Sequence, residues 1–172
     1  MSLLDRVLAV LEHHGVAHAL IGAGALAARG IARSTYDIDL LTTDGRVLRD
    51  DLWNDVRSRG ASVDIRRGDR DDPLLGVVRI EEPQERPVDI IVGRYAWQAR
   101  AVERADRVPG GPPIVTARDL VLLKLYAGGT QDLWDVRELL SLPGAATLVA
   151  EVSADLEQLP TAMHARWDDA RR

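Results

Sequence analysis

Hydrophobic residues recur along this chain with two periods, and the switch between them divides it. Ser2 and Asp5 have the spacing of a capping box. Leu4, Val7, Leu8 and Leu11 then repeat every three or four residues until Gly15, the pattern of an amphipathic helix. Short runs of aliphatic and β-branched residues predict strands at 18–21, 37–42, 62–66, 77–81 and 88–92. Between them, 25–29 is long enough for one or two helical turns before Gly30. The stretch 46–59 carries Val47, Leu48, Leu52 and Val56 on one side and predicts a single helix closed by Gly60. A short helix is expected at 95–103. Pro109-Gly110-Gly111-Pro112-Pro113 then punctuates the chain, and the pattern beyond it is helical throughout. Helices are predicted at 118–127, opened by Thr116 and Asp119 and stopped by Gly128-Gly129, and at 132–140, 145–159 and 161–172. The expected class is α/β (α+β). A mixed sheet with flanking helices occupies residues 1–105, and a helical segment, 114–172, packs on it as one compact unit.

Acids interrupt two of the predicted strands. Asp37 and Asp39 stand in Tyr36-Asp37-Ile38-Asp39-Leu40-Leu41, and Asp89 stands in Pro87-Val88-Asp89-Ile90-Ile91-Val92. Alternation along a strand puts Asp37 and Asp39 on one face, with Ile38 and Leu40 on the other. Two anions side by side on an apolar element are costly unless compensated. A divalent cation would compensate them, and hard oxygen ligands suit magnesium or manganese. Salt bridges from Arg33 and Arg29 are the plainer alternative.

Composition narrows the field. With 172 residues, 46% hydrophobic and 28% charged, the chain reads as one globular domain. There is no cysteine, so disulfides and thiolate chemistry are excluded. His14 and His18 are separated by Gly15 and do not make a helical metal pair. Asp5, Arg6 and Glu12 interrupt the apolar N-terminal stretch, which is neither a signal peptide nor a membrane span, and a cytoplasmic setting is expected. A net charge of −5 argues against a broad nucleic-acid footprint. Of the 22 basic residues, lysine occurs only at Lys124. A lone lysine in an arginine-rich chain suggests a place where a compact ammonium is wanted.

These residues together resemble the signature of the polymerase-β-type nucleotidyltransferases. The signature runs Leu20-Ile21-Gly22-Ala23, then Gly30, Arg33, Thr35 and Asp37-Ile38-Asp39, with Asp89 as a later lone acid. The segment 119–140, with Lys124, Asp132 and Asp135, is similar to the C-terminal helix pair of the small members. Those members include AbiEii/AbiGii-like toxins and the lincosamide- and aminoglycoside-modifying enzymes. The resemblance implies a nucleotidyltransferase fold and transfer of a nucleoside monophosphate from a nucleoside triphosphate to a hydroxyl, with Mg2+ or Mn2+. It implies Asp37, Asp39 and Asp89 as metal ligands and, with Lys124, as the catalytic set. Gly22, Ala23, Arg33, Thr35, Lys124 and Asp132 would bind the nucleotide. Many members have Gly-Ser or Gly-Gly where this chain has Gly22-Ala23, so the alanine keeps a backbone N–H and lacks a hydroxyl. The expected role is the toxin of a toxin–antitoxin pair, with a cognate antitoxin as partner and a tRNA, a protein or a small hydroxyl compound as acceptor. An antibiotic-modifying transferase and a non-catalytic nucleotide- or partner-binding protein are the alternatives.

One further motif competes. Gly22-Ala23-Gly24-Ala25-Leu26-Ala27 fits the dinucleotide-binding pattern G-x-G-x-x-A, but Gly30 cuts the following helix too short for it.

Overall fold

A computed structural model describes every residue except Ser34, Thr35 and Gln158. The chain divides into two units, Met1–Ala27 with Ala32–Val115, and Ala28–Ile31 with Thr116–Arg172.

In the first unit, α1 (Leu3–His13) opens with the expected capping box. Ser2 Oγ accepts from the Asp5 N–H at 3.2 Å, and Asp5 Oδ2 accepts from the Ser2 N–H at 2.8 Å. β1 (Ala19–Leu20) runs into α2 (Gly22–Ala27). β2 (Ile38–Thr42), β3 (Ser62–Arg67), β4 (Gly76–Glu81), β5 (Val88–Val92) and α4 (Ala96–Glu103) follow, with α3 (Asn54–Ser58) between β2 and β3. The strands form one sheet in the order β1-β2-β5-β4-β3; β2 and β5 are parallel and the other pairs antiparallel. The mixed class expected from the sequence is the one observed.

Leu40, Val78, Ile80, Val88, Ile90 and Val92 of the sheet are buried. They share one core with Leu3, Val7 and Leu11 of α1 and with Val47, Trp53 and Val56. Alternation turns their neighbours to the other face. There the register sets Asp39 opposite Asp89, Asp89 opposite Arg79, and Arg79 opposite Asp64, so four strands contribute to one polar rung.

Residues 46–59 depart from the single helix that their periodicity predicts. They form two 3-10 turns, Gly45–Leu48 and Asp50–Trp53, before α3. Arg49 between the turns is extended, with φ −83° and ψ 132°. Side chains take the carbonyls that a continuous helix would use. Val47 O accepts from the Trp53 indole at 2.8 Å, Asp50 O accepts from Arg57 at 2.7 Å, and Leu48 O accepts from Arg67. Trp53 is fully buried and its N–H needs an acceptor, which the Val47 carbonyl supplies.

The second unit contains α5 (Ala117–Ala127), α6 (Thr130–Leu140), α7 (Ala145–Leu156) and α8 (Thr161–Ala170). Leu120, Leu122, Leu125, Val136, Leu139, Val152, Leu156, Met163 and Trp167 are buried in it. Thr116 caps α5, its Oγ1 accepting from the Asp119 N–H at 3.2 Å. Gly128 ends α5 in the left-handed region, with φ +69°. Arg166 of α8 donates to Leu125 O at 2.6 Å and Tyr126 O at 2.9 Å, satisfying carbonyls that the helix end leaves open. Among the described residues, no helix is long and apolar enough to cross a membrane.

A Cβ on Gly128 would fall inside the Arg166 guanidinium. Gly128→Ala should therefore lower the unfolding free energy by about 1–2 kcal/mol from left-handed strain alone, and by more if Arg166 is displaced. Combined with Arg166→Ala, the loss should be smaller than the sum of the two single losses, because both act through the same helix end. Urea unfolding of the three variants checks this, and additive losses would mean that Arg166 and Gly128 act independently.

Candidate active site

Parallel pairing of β2 and β5 brings together the acids that the sequence keeps fifty residues apart, since Asp39 and Asp89 are direct partners in register. Leu40 and its β5 partner Ile90 are fully buried, as is Val88, and they hold the two strands against the core. Asp37 lies one residue before β2. The Asp37 side chain is 31% exposed and that of Asp89 14%. Like charges directly opposite each other destabilise a sheet, so this arrangement needs a nearby positive charge.

Arg79 supplies one. Its Nη1 donates to Asp89 Oδ2 at 2.7 Å and to Asp37 Oδ2 at 3.1 Å, and its Nε donates to Glu81 Oε1 at 2.8 Å. The bonds to Glu81 and Asp37 hold the guanidinium protonated well beyond its ordinary range. Asp89 keeps a raised pKa all the same. Burial is the main cause, the negative charges of Asp37 and Glu81 add to it, and Arg79 opposes it. Asp89 Oδ1 is buried with no hydrogen-bond partner.

Gly22 closes the other side of the acid pair. It has φ +59°, and a Cβ there would fall inside Asp39 Oδ2 and lie 3.1 Å from Asp39 Cγ. The glycine is thus required twice, by its backbone conformation and by the approach of the carboxylate. The Ile21 N–H donates to Asp39 O at 2.9 Å and fixes the turn against β2. Ala23 is the next residue of α2, and with six residues that helix does not extend into a dinucleotide-binding element.

Lys124 belongs to the second unit. Its Nζ lies 2.9 Å from Asp132 Oδ1 and 2.9 Å from Asp135 Oδ2. Asp132 also accepts from the Gly129 N–H at 3.0 Å, and buried Asp135 accepts from Gln131 at 3.2 Å. Burial works against the ammonium. The bonds to Asp132 and Asp135 outweigh it and hold the Lys124 pKa above its ordinary 10.5. Arg33 lies half-buried in the loop before β2, and Thr35 lies outside the described residues.

No family model and no curated protein matches the chain. Solved structures do. The solution structure of the antibiotic-resistance factor ANT(2'')-Ia aligns at a TM-score of 0.59 with 19% identity, over 91% of this chain and 90% of that one. The crystal structure of ANT(2'')-Ia in complex with adenylyl-2''-tobramycin aligns at 0.58 with 19% identity, over 91% and 96%. The chain has the nucleotidyltransferase fold. Terminal uridylyl transferase 4 from Trypanosoma brucei with bound CTP aligns at 0.38 with 17% identity, over 80% and 48%, and adds nothing to that assignment.

Within this nucleotidyltransferase fold, the structure brings Asp37, Asp39, Asp89 and Gly22 together in one unit. Lys124, Asp132 and Asp135 form a second cluster in the other unit. Sequence reasoning missed Arg79. Its signal was a single cation on the polar side of 77–81, legible only once β4 is known to pair with β5. Among the described residues, no group of three or more histidine, aspartate or glutamate side chains stands ready to hold a metal ion. Asp37 and Asp89 are instead drawn onto Arg79.

The raised pKa of Lys124 gives a pH dependence of definite sign. Its stabilising contribution is whole below 10.5 and is lost as pH rises past the folded-state value. Lys124→Ala should reduce stability at neutral pH by about 3 kcal/mol, because the buried Asp135 loses the Lys124 ammonium. The same variant should show a flatter loss of stability above pH 10.5 than the native chain. Urea titrations on either side of that pH test both effects, and equal alkaline slopes would count against the ion pair.

Proposed function

We propose that the chain is a metal-dependent nucleotidyltransferase, moving a nucleoside monophosphate from a nucleoside triphosphate to a hydroxyl acceptor. The observation that carries this reading is the carboxylate pair Asp39 and Asp89 in register on parallel strands, with Asp37 drawn to the same guanidinium as Asp89. Three carboxylates are a hard-oxygen donor set that fits Mg2+ or Mn2+, and the partnerless, buried Oδ1 of Asp89 is a lone-pair donor in want of a cation. Asp37, Asp39 and Asp89 would hold it. When bound, such an ion supplies positive charge to the phosphoryl oxygens of the substrate and the leaving group.

The chain's own groups do the rest. Asp89 accepts the proton of the acceptor hydroxyl, a role suited by the burial that raises its proton affinity. The N–H groups of Gly22 and Ala23 face the triphosphate. Arg33, Thr35 and Asp132 are further nucleotide contacts. Lys124 offsets charge on the departing pyrophosphate, and to do so it must share the ammonium that now bridges Asp132 and Asp135.

A small hydroxyl-bearing compound is the acceptor class best supported, because the match to ANT(2'')-Ia, solved with an adenylylated tobramycin, spans nearly the full length of both chains. The toxin role in the cytoplasm, with a tRNA or protein acceptor and an antitoxin partner, uses the same chemistry and differs in the acceptor alone.

Each ribonucleoside triphosphate, labelled separately at the α and γ positions, should be offered with aminoglycosides and other hydroxyl-bearing antibiotics, total tRNA and total protein. Label from the α position is expected in one acceptor class, with release of pyrophosphate. Asp89→Ala should reduce the rate by about a hundredfold or more, the usual contribution of a positioned base. Asp37→Asn or Asp39→Asn should abolish the magnesium dependence of nucleotide affinity in calorimetry. Transfer of γ label alone would rule out nucleotidyl transfer, and metal-dependent binding without any transfer would favour a binding protein of this fold.

A further inference from the structure

The rung across β2, β5, β4 and β3 reads Asp39, Asp89, Arg79, Asp64: one cation among three acids. Asp64 has its own partner, Arg66 Nε at 2.8 Å. Arg79 is turned the other way. Its Nη1 reaches one oxygen of Asp89 on β5 and one of Asp37 at the entry to β2. Glu81, two residues along β4 and on the same face, holds Nε at 2.8 Å and orients the guanidinium. A single nitrogen therefore spans two of the carboxylates assigned above to a metal ion.

The geometry points to Arg79 as a resident counter-ion of the acid triad. It holds Asp37 and Asp89 together in the cation-free protein and yields their oxygens when a divalent ion binds. This inference rests on the reading of the triad as a metal site. A guanidinium and a divalent ion draw on the same lone pairs, so each weakens the other's hold. Arg79 can let go without losing its place, because Glu81, whose side chain is 51% exposed, keeps Nε while Nη1 is released. The side chain of Arg79 is itself 31% exposed, which leaves it a path into solvent. The guanidinium thus sets a threshold that a bare ion meets alone. An ion arriving with a triphosphate meets the same threshold with nucleotide contacts to offset it. Arg79 is in this sense a positioning residue.

The test is a Mn2+ titration of the full chain without nucleotide, followed by electron paramagnetic resonance. Arg79→Gln should bind Mn2+ about threefold or more tighter than the native chain, the change expected from removing a part-exposed ion pair. Arg79→Lys, which keeps a charge but not the fork, should fall between them. In chelator, Arg79→Gln should melt lower than the native chain, and Mn2+ should restore most of the difference. A lowered melting temperature with equal or weaker Mn2+ binding would make Arg79 a structural strut and overturn the inference, leaving the metal reading intact if the native chain binds Mn2+ and Asp37→Asn does not. Absence of Mn2+ binding by the native chain would overturn both. Should Arg79→Gln fail to fold, the lysine variant decides: tighter Mn2+ binding than native supports the inference, and equal or weaker binding overturns it.

Discussion

The register of β2 against β5 sets two carboxylates side by side in the middle of a sheet, and much of the first unit is arranged around that cost. Asp39 and Asp89 are direct partners, and Asp37 joins them through Arg79. A one-residue slip would relieve the repulsion, but it would also turn Val88, Ile90 and Val92 out of the core. Burial of those three side chains, together with Leu40, Val78 and Ile80, fixes the register against the electrostatic penalty. Each fully buried aliphatic side chain contributes about 1.5–3 kcal/mol, whereas a like-charge pair across a sheet costs about 0.2–1 kcal/mol. The hydrophobic term wins, and the acids stay where the core puts them.

The surroundings then accommodate the acids locally. Gly22 lacks the Cβ that would collide with Asp39, and its left-handed backbone turns the chain from β1 directly into α2. Arg79 donates to three carboxylates: Nη1 to Asp37 and Asp89, and Nε to Glu81, which holds the guanidinium in place. The raised pKa of Asp89 shows that the compensation is incomplete: burial and two neighbouring anions outweigh the arginine. An acid in that condition is suited to take up a proton or to ligate a cation, and both roles occur in phosphoryl transfer.

The sequence made much of this legible because strands and acids announce themselves locally. The periodicity of 88–92 predicted β5 to the residue, and the alternation around Asp37 and Asp39 placed them on one side. The glycine after Ile21 was legible as a turn, but its contact with Asp39 was not, since that depends on how β1 meets β2. Arg79 was invisible for the same reason. Nothing within 77–81 says which strand it pairs with, and only the antiparallel register of β4 and β5 makes it the partner of Asp89. The expected helix at 46–59 failed because hydrophobic spacing does not reveal that Trp53 would claim the Val47 carbonyl. Singularity drew attention to Lys124, and the structure shows a compact ammonium 2.9 Å from each of two carboxylates.

Lys124 and Arg79 answer different electrostatic problems, and the difference bears on function. Asp132 and Asp135 lie three residues apart on α6, and Asp135 is almost wholly buried; a point charge can approach both at once, while a planar guanidinium would need more room. The carboxylates around Arg79 come from three strand segments and are more widely directed, which suits a fork with several donors. Lys124 faces two acids of one helix. Arg79 faces three, Asp37, Asp89 and Glu81, and Asp39 stands beside Asp89 in register. The strand pairing that the core enforces therefore sets Asp39 beside Asp89, and the burial that comes with it is the main cause of the raised pKa of Asp89.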